Sequence, residues 1–525
     1  MPVLTATGVT TEDLKAKRRK VVRKAGKQIL LIASAERIFA IANRCPHEGY
    51  PLSEGTEGPN CVLTCNWHNW KFDLATGEAL VGRDPVRTYP VELRNGEIVL
   101  DLADPPAEAL KARALKGLDT ALADNDMPRM AREVARLEAA GFDASTALTH
   151  ALQARGNHLE NGMTHAHAAA ADWMALADRA PSDEARLVAV LEPLGHLSWD
   201  TLGAGAFPYS ERVAPWDARA FLDAMEREDE EEAIARVRGA IADHIPYAAL
   251  RPTLGESALS HYADFGHSTI YTLKAGHLID RLGHDAKEPV LLALVRQQIA
   301  ATREERLPEF RGYAKALAAW DDKGEEPAHA EDFIGLTIDA ALKRTLASSV
   351  RPPREIYDAL LGAAAFNLLH FDTRFDGATS NPIADNVSWL DFTHALTFAN
   401  AVRHLCAERP DLWPRALLQM ALFVGRNRGY VDQKQDVSRW PVNDRPGFIA
   451  EQMATLYDHG IVEPIIACHR LKMLFALDDE LAATPDAPWI DTMCAAMNRW
   501  LSTPQKRHHG LRIATQARDF VAREA

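Results

Sequence analysis

The pattern of apolar and polar positions changes once along the chain, near residue 104. Before it, short β-prone runs such as 28–32 and 97–100 alternate with turn signals such as Asn95-Gly96. After Asp104-Pro105-Pro106 the sequence is rich in Ala, Leu, Glu and Arg, with apolar positions at helical spacing almost to its end. The pattern predicts an α+β protein, with a small antiparallel β domain at residues 1–103 followed by a large all-α domain at residues 104–525.

Composition narrows the class of protein. The 525 residues are 47% hydrophobic and 25% charged, which is typical of globular domains and excludes disorder. A net charge of −14 repels phosphate backbones, so we expect no nucleic-acid partner. No run approaches the roughly 20 apolar residues of a membrane span, and residues 1–13 lack the apolar core of a secretory signal. We therefore expect a cytoplasmic protein with no membrane partner.

Charge is distributed unevenly. Residues 1–103 hold 14 basic and 12 acidic side chains, whereas the remainder holds 45 basic and 61 acidic ones. Eight of the basic residues fall between Lys15 and Lys27. Two interpretations of this stretch stay open: a solvated strand and turn, or a docking face for an acidic electron-transfer partner.

Two short motifs carry the strongest chemical signal. Cys45-Pro46-His47 is followed 17 residues later by Cys65-Asn66-Trp67-His68. Two thiolates and two imidazoles on loops between strands suit a metal site, and structural zinc accepts the same set. Zinc fingers, however, usually take both cysteines from one loop and both histidines from the other. One of each per loop fits a [2Fe–2S] cluster with cysteines on one iron and histidines on the other.

With Phe72 and Thr76-Gly77 following these motifs, residues 1–103 resemble a Rieske domain. The resemblance implies a [2Fe–2S] cluster bound by Cys45 and Cys65 on one iron and by His47 and His68 on the other.

The sequence departs from the Rieske pattern at two positions. Asn66 stands where proline is common in the second loop, and Cys61 is the one additional loop cysteine. High-potential respiratory Rieske proteins use a disulfide between their loops, which a lone Cys61 cannot make internally. The resemblance therefore implies the lower-potential type that supplies electrons to oxygenases.

Histidines in the helical part are the next candidates, because a Rieske cluster transfers electrons and does no substrate chemistry. The segment from Asp264 to His267 is repeated from Asp391 to His394, and each is followed ten residues later by a further histidine. This similarity suggests an internal duplication. On a helix the later histidine of each pair lies about 80° away from the first, so we favour His267 and His394 as pocket groups over His277 and His404. The usual catalytic motif of Rieske oxygenases, Asp-x-x-His with a second His five positions on, is absent.

Two further histidine segments complete the set. Asn157-His158 is predicted to begin a helix that carries His165 on the same face, and His508-His509 lies near the C-terminus. Imidazoles that project into a helical bundle can hold non-haem iron.

On these segments the helical part resembles the questin oxidase-like family. The motifs concerned are Asn157-His158, His267-Ser268-Thr269-Ile270, His394-Ala395-Leu396-Thr397 with Ala401 and Arg403, and His509-Gly510-Leu511-Arg512. That family is associated with oxidative ring opening of anthraquinone-type polyketides, through His-bound iron and a lysine-derived carboxylate. The resemblance implies the metal ligands His158, His267, His394 and His509. Because Arg512 stands where the family has lysine, a carboxylate would come from Glu160, Asp264 or Asp391.

The sequence thus predicts an oxygenase with a [2Fe–2S] cluster and a mononuclear iron. It would oxidise a hydrophobic aromatic or polycyclic molecule with O₂, with or without ring opening, and its catalytic groups would be His158, His267, His394, Asp264 and Asp391. No nicotinamide or flavin motif is found, so electrons would come from an external NAD(P)H-dependent reductase or ferredoxin. The sequence is compatible with a homo-oligomer.

Two alternatives remain. The first is a non-enzymatic Rieske electron-transfer or redox-sensing protein whose helical domain binds a partner. The second is a Rieske hydroxylase with a site built from other residues, such as Asp385 or Glu463.

Overall fold

A computed structural model describes residues 3–34, 36–380, 382, 386–504 and 515. The chain divides into two compact units, Met1–Arg113 and Ala114–Ala525. The predicted boundary after residue 103 lies slightly before this division. The first unit is an antiparallel β structure and the second is helical, so the predicted fold class is confirmed.

The first unit consists of short strands and one short helix. The strands are β1 (Leu4–Thr10), β2 (Arg19–Lys24), β3 (Lys27–Ser34), β4 (Arg37–Ala42), β5 (Thr56–Gly58), β6 (Val62–Thr64), β7 (Lys71–Asp73), β8 (Ala79–Val81), β9 (Val91–Arg94) and β10 (Glu97–Asp101), and the helix is α1 (Thr11–Lys17). They form three antiparallel sheets with the orders β1-β10-β9, β2-β3-β4 and β5-β6-β7-β8. Asn95 and Gly96, at φ 51° and 82°, make the tight turn between β9 and β10.

The central strand β3 explains the continuous apolar run in the sequence. Successive side chains of a strand point to opposite faces. Leu30 and Ile32 pack into a core with Cys45 and Cys65, whereas Ile29 and Leu31 pack into a second core with β10 and α1. Because both faces of β3 are covered, its middle lacks the alternation of a half-exposed strand.

The second unit is a large assembly of α-helices joined by loops of varied length and by short 3₁₀ turns. Its helices are α2 (Ala107–Ala123, which begins in the first unit), α3 (Met127–Ala139), α4 (Ser145–Arg155), α5 (His165–Asp178), α6 (Asp183–Asp200), α7 (Ala218–Glu226), α8 (Glu230–Ala242), α9 (Tyr247–Ser260), α10 (His267–Leu282), α11 (His284–Ala300), α12 (Gly312–Ala318), α13 (Ile338–Leu346), α14 (Pro353–Leu369), α15 (Thr373–Gly377), α16 (Leu390–Glu408), α17 (Trp413–Asn427), α18 (Arg445–Thr455), α19 (Pro464–Ala483) and α20 (Ile490–Ser502). Within the described ranges, no helix is both long enough and apolar enough to cross a membrane.

Four of these helices form a closed ring at the centre of the unit. Helix α5 packs against α10, α10 against α16, α16 against α19, and α19 against α5. Their side chains are buried around most of the helix circumference, as expected for core helices that have neighbours on several sides. Each of the four carries a histidine in its first two turns, and those turns converge inside the ring.

Candidate metal centres

Two loops of the first unit share one backbone hydrogen-bond pattern. In the first loop, the N–H of Cys45 donates to the carbonyl of Tyr50 (2.9 Å), and the N–H of Gly49 donates to the carbonyl of Cys45 (2.8 Å). The second loop repeats both bonds around Cys65, at 2.7 and 3.0 Å. Both loops turn through a residue at positive φ, Gly49 at 78° and Asn69 at 61°. The two loops therefore fold alike around their cysteines, and each carries a histidine within the turn, two residues after Cys45 and three residues after Cys65.

The four predicted cluster ligands lie together. The Nδ1 atoms of His47 and His68 are 3.2 Å apart, and the side chains of Cys45 and Cys65 pack in the same buried core. Both cysteines are buried, while the two imidazoles lie toward the surface. Burial raises the pKa of the Cys45 thiol to about 11. A bound metal would overcome this cost, because it binds the thiolate.

Neighbouring side chains support these loops. The ring of Trp70 stacks on His47 at 4.7 Å between ring centres. Asn66, which stands where proline is common, accepts a hydrogen bond from Thr56 Oγ1 (2.8 Å) and donates one to the carbonyl of Glu54 (2.8 Å). These two bonds give the second loop an anchor that does not need a proline ring.

The basic stretch from Lys15 to Lys27 has a partly structural role. Arg19 donates to the carbonyls of Ser53 (2.9 Å) and Gly55 (2.7 Å), beside the first loop. For the other cations in the stretch, this contact does not decide between a solvated strand and turn and a docking face for an acidic partner.

A second group of imidazoles lies in the helical unit. His165 begins α5, His267 begins α10, His394 lies in the first two turns of α16, and His469 lies in the second turn of α19. The Nε2 atoms of His165 and His267 are 3.2 Å apart, and those of His394 and His469 are 3.1 Å apart. The ring centres of His267 and His394 are 4.5 Å apart. We call these four side chains the four-histidine centre.

The other ring nitrogen is engaged in three of these histidines. His267 Nδ1 lies 2.5 Å from the carbonyl of Asp264, and His469 Nδ1 lies 2.7 Å from the carbonyl of Ile465. His165 Nδ1 lies 3.1 Å from the hydroxyl of Tyr271. An Nδ1–H bonded to a carbonyl places the lone pair on Nε2, which is the nitrogen that faces the other rings.

Burial favours the neutral form of three of these imidazoles. It lowers the pKa of His165, His394 and His469 well below the usual value, and the positive field of Lys472 acts in the same direction. Lys472 lies one turn after His469 on α19 and is fully buried. Burial also lowers the pKa of this lysine, and its Nζ has no hydrogen-bond partner in the described part of the chain. Neutral imidazoles are the form that binds metal.

A cavity of about 130 Å³ adjoins this centre. We call it the inner cavity; its lining includes His267, His394, Phe265, Phe423, Asp391 and Arg426. It combines two imidazoles, aromatic walls and one ion pair, a composition typical of a small-molecule site.

The backbone just before α10 is strained. Asp264 and Phe265 adopt φ of 48° and 54°, and Gly266 follows at 81°. Left-handed geometry is unfavourable for a bulky residue such as Phe265 and clusters at functional sites. Here the turn directs Phe265 into the inner cavity and places the Asp264 carbonyl on His267.

The structure brings together only some of the predicted ligands. His267 and His394, which the sequence favoured as pocket groups, lie next to each other. Asp264 lies beside His267, with Oδ2 3.4 Å from Nδ1, and Asp391 lines the inner cavity. His158 is not in the group, because its Nδ1 contacts the carbonyls of Ala204 and Gly205 at 3.3 and 3.0 Å.

The reason for this correction is a break in the chain before α5. His158 ends a 3₁₀ turn, and the helix that was expected to carry both histidines starts only at His165. Gly162, at φ 76°, lies in the break, so the common helical face assumed for the two histidines does not exist. His165 takes the position expected for His158.

His508, His509, Arg512 and Asp385 are outside the described residues. Glu463 precedes the first residue of α19.

The later histidines of the repeat form a different cluster, beside a separate surface pocket. The rings of His277 and His404 are 6.3 Å apart. Asp479 Oδ2 lies 2.7 Å from His404 Nε2 and accepts a hydrogen bond from Asn400 at 2.6 Å. The two repeated segments therefore approach each other through equivalent histidines. His267 lies against His394 near the starts of α10 and α16, and His277 lies near His404 further along the same two helices.

His469 was missed in the sequence, and a signal for it was present. His469-Arg470-Leu471-Lys472 has the His-x-x-Lys pattern that was sought near the C-terminus. Its setting inside a long apolar helix made it resemble an ordinary core histidine.

Comparisons with known proteins concern the first unit. Residues 7–90 match the model of the Rieske [2Fe–2S] domain family. The N-terminal part of the chain is therefore a Rieske [2Fe–2S] domain, followed by a large helical region.

Individual relatives agree with this class. The chain is 39% identical over 105 residues to a 4beta-methylsterol monooxygenase of Methylococcus capsulatus, covering 18% of this chain and 28% of that protein. It is 37% identical over 68 residues to a 3-phenylpropionate/cinnamic acid dioxygenase ferredoxin subunit of Photorhabdus laumondii, covering 13% and 65%. The ferredoxin of carbazole 1,9a-dioxygenase from Nocardioides aromaticivorans IC177 shares 26% identity, covering 19% and 96%, with a TM-score of 0.18. The chain thus spans less than two thirds of the length of either curated relative.

Proposed function

We propose that this protein is a Rieske-coupled non-haem iron oxygenase that oxidises a hydrophobic aromatic or polycyclic molecule with O₂. The observation that carries the proposal is the four-histidine centre, in which imidazoles from four separate helices converge beside a small aromatic cavity. The relatives of the Rieske domain include a monooxygenase and a dioxygenase ferredoxin subunit, which supports a role in oxidation.

The donor set fits an iron ion. The ligands would be the Nε2 atoms of His165, His267, His394 and His469, all imidazole nitrogens of the kind that iron accepts. When bound, iron would supply the activation of O₂. The protein's own contribution is to fix three of the rings through their Nδ1 contacts, to favour the neutral imidazole of His165, His394 and His469 by burial, and to exclude bulk water from the inner cavity.

Lys472 fits the remaining position of the proposed ligand set. The resemblance to questin oxidase-like proteins implies a lysine-derived carboxylate, and Lys472 takes the role that could not be given to Arg512. Its amine is fully buried and without a partner among the described residues. Addition of CO₂ to a neutral amine forms a carbamate with loss of one proton, which would give an anionic oxygen ligand next to the four imidazoles.

The Rieske domain would supply electrons to this centre. Its imidazoles lie toward the surface, where a redox partner can approach. An external NAD(P)H-dependent reductase or ferredoxin would reduce the cluster. The cluster ligands would be Cys45, His47, Cys65 and His68.

Iron analysis of the purified protein tests the proposal. We expect about three irons per chain, two in the Rieske cluster and one in the four-histidine centre. His267→Ala and His394→Ala should each lose the third iron and leave the Rieske absorption unchanged. His277→Ala is the matched control, because His277 lies on the same helix but lines a different pocket; it should keep three irons.

The same measurement separates the alternative. A Rieske electron carrier or sensor would contain two irons per chain, and its iron content would not change in His267→Ala. That result would reject the oxygenase proposal.

A further inference from the structure

We infer that Arg426 selects the substrate, by binding the carboxylate of an aromatic acid whose ring enters the inner cavity. This inference rests on the proposed function, because it takes the inner cavity as the place where substrate meets the metal. Arg426 lines the inner cavity and also lines a second, larger cavity of about 860 Å³ that is open to the surface. We call this second cavity the outer groove. Arg426 thus lies where the two spaces meet.

Arg426 is held by weak contacts on both sides. Toward the inner cavity, its NH1 lies 3.3 Å from Asp391 Oδ1, and its guanidinium lies 5.0 Å from the ring centre of Phe265. Toward the outer groove, its Nε lies 3.8 Å from Glu309 Oε1. Strong charge-assisted hydrogen bonds are about 2.7–2.9 Å long. The guanidinium can therefore exchange a protein carboxylate for one on a ligand at little cost.

The outer groove has the charge that attracts an anion. Besides Arg426, it is lined by the cationic side chains of Arg311, Lys315, Lys343 and Arg428. These four are exposed, and none of them has an ion pair within the described residues. The acidic side chains in the lining are Glu309 and Asp339. A basic groove on a protein of net charge −14 raises the local concentration of anionic ligands.

The inner cavity sets the size and polarity of the other end of the ligand. A cavity of about 150 Å³ can hold one benzene molecule, so about 130 Å³ suits a single aromatic ring. Phe265 and Phe423 supply apolar walls for that ring. The planar fork of an arginine matches a carboxylate bidentately. An aromatic acid fits both the apolar cavity and the arginine, with its ring near His267 and His394 and its carboxylate at Arg426.

Calorimetric titration of the iron-loaded protein without O₂ tests this inference. The probes are benzoate and benzamide, which have similar shapes and differ in charge. We expect benzoate to bind about tenfold more tightly, as a charge-assisted hydrogen bond gives. Arg426→Gln should reduce this preference to about threefold or less. Arg439→Gln, which removes an exposed arginine outside both cavities, is the charge-matched control and should keep the full preference.

A second variant guards against misfolding. Glu309→Gln removes a carboxylate that competes for Arg426, so it should tighten benzoate binding, which a damaged protein could not do. Equal binding of the two probes by the unaltered protein would overturn the inference. So would a benzoate preference that survives in Arg426→Gln, because it would then come from the iron. Iron content is measured separately, so a failure here leaves the test of the oxygenase proposal intact.

Discussion

Two buried lysines in the helical core should respond in opposite ways to the same substitution. Lys472 is fully buried and its Nζ has no partner in the described part of the chain. Lys274 is also buried, but its Nζ lies 2.8 Å from Asp172 Oδ1, and both side chains are 6% exposed. Methionine has a similar length and no polar hydrogen, so Lys→Met removes the amine with little change in packing.

The expected magnitudes follow from these partners. A buried polar group without a hydrogen bond costs about 1–3 kcal/mol, so Lys472→Met should stabilise the metal-free protein by up to that amount. Lys274→Met leaves the Asp172 carboxylate buried without its cation. Removing one partner of a buried ion pair costs about 3–5 kcal/mol, so this variant should be destabilised.

The assay is urea unfolding of the metal-free proteins, followed by the helical circular dichroism signal, with iron analysis of the reconstituted proteins. Without metal, Lys472→Met should be more stable than the unaltered protein. After reconstitution it should retain less iron in the four-histidine centre than the unaltered protein does. Similar destabilisation by both substitutions would refute the reasoning, because it would show that Lys472 has a stabilising partner. Full iron retention in Lys472→Met would remove this lysine from the proposed ligand set.

Three further outcomes are expected. Gly82→Ala should shift the absorption and potential of the Rieske cluster, because the new Cβ would overlap the Trp70 ring that stacks on the candidate ligand His47; an unchanged spectrum would contradict this. Gly266→Ala should lower iron occupancy of the four-histidine centre, because φ is 81° and the Cβ would lie 2.6 Å from Phe398; occupancy equal to that of the unaltered protein would contradict it. Burial disfavours the Asp479 carboxylate, but its hydrogen bonds outweigh burial and hold its pKa well below the usual range. The ionised Asp479 carboxylate therefore stabilises the fold above about pH 4, and this contribution is lost as the pH falls toward its folded-state pKa. Asp479→Asn should remove this pH dependence, so the free energy of unfolding, measured with urea, should fall less steeply at acid pH.

The sequence was most informative where function depends on local structure. The candidate ligands of the Rieske cluster lie in two short loops, so their spacing alone indicates the chemistry. The fold class also followed from local patterns, because β3 and the turn at Asn95-Gly96 have characteristic residues.

The four-histidine centre depends on tertiary structure, and the sequence defined only half of it. His267 and His394 were found because their segments resemble each other. His158 was assigned by the resemblance to the questin oxidase-like family, and His165 was expected on the same face of one continuous helix, which the turn at Gly162 breaks. Nothing local distinguishes His469 from a core histidine, because the packing of α19 against α5 and α16 gives it its neighbours.

The closed ring of α5, α10, α16 and α19 has a consequence for how the protein is made. Its histidines are contributed by segments about a hundred residues apart, so the centre cannot exist until the last of these helices has been synthesised and packed. The candidate ligands of the Rieske cluster all lie between residues 45 and 68. The cluster could therefore be inserted while the ribosome is still translating the helical part. Iron at the four-histidine centre would have to enter an already folded ring, as the final step of maturation.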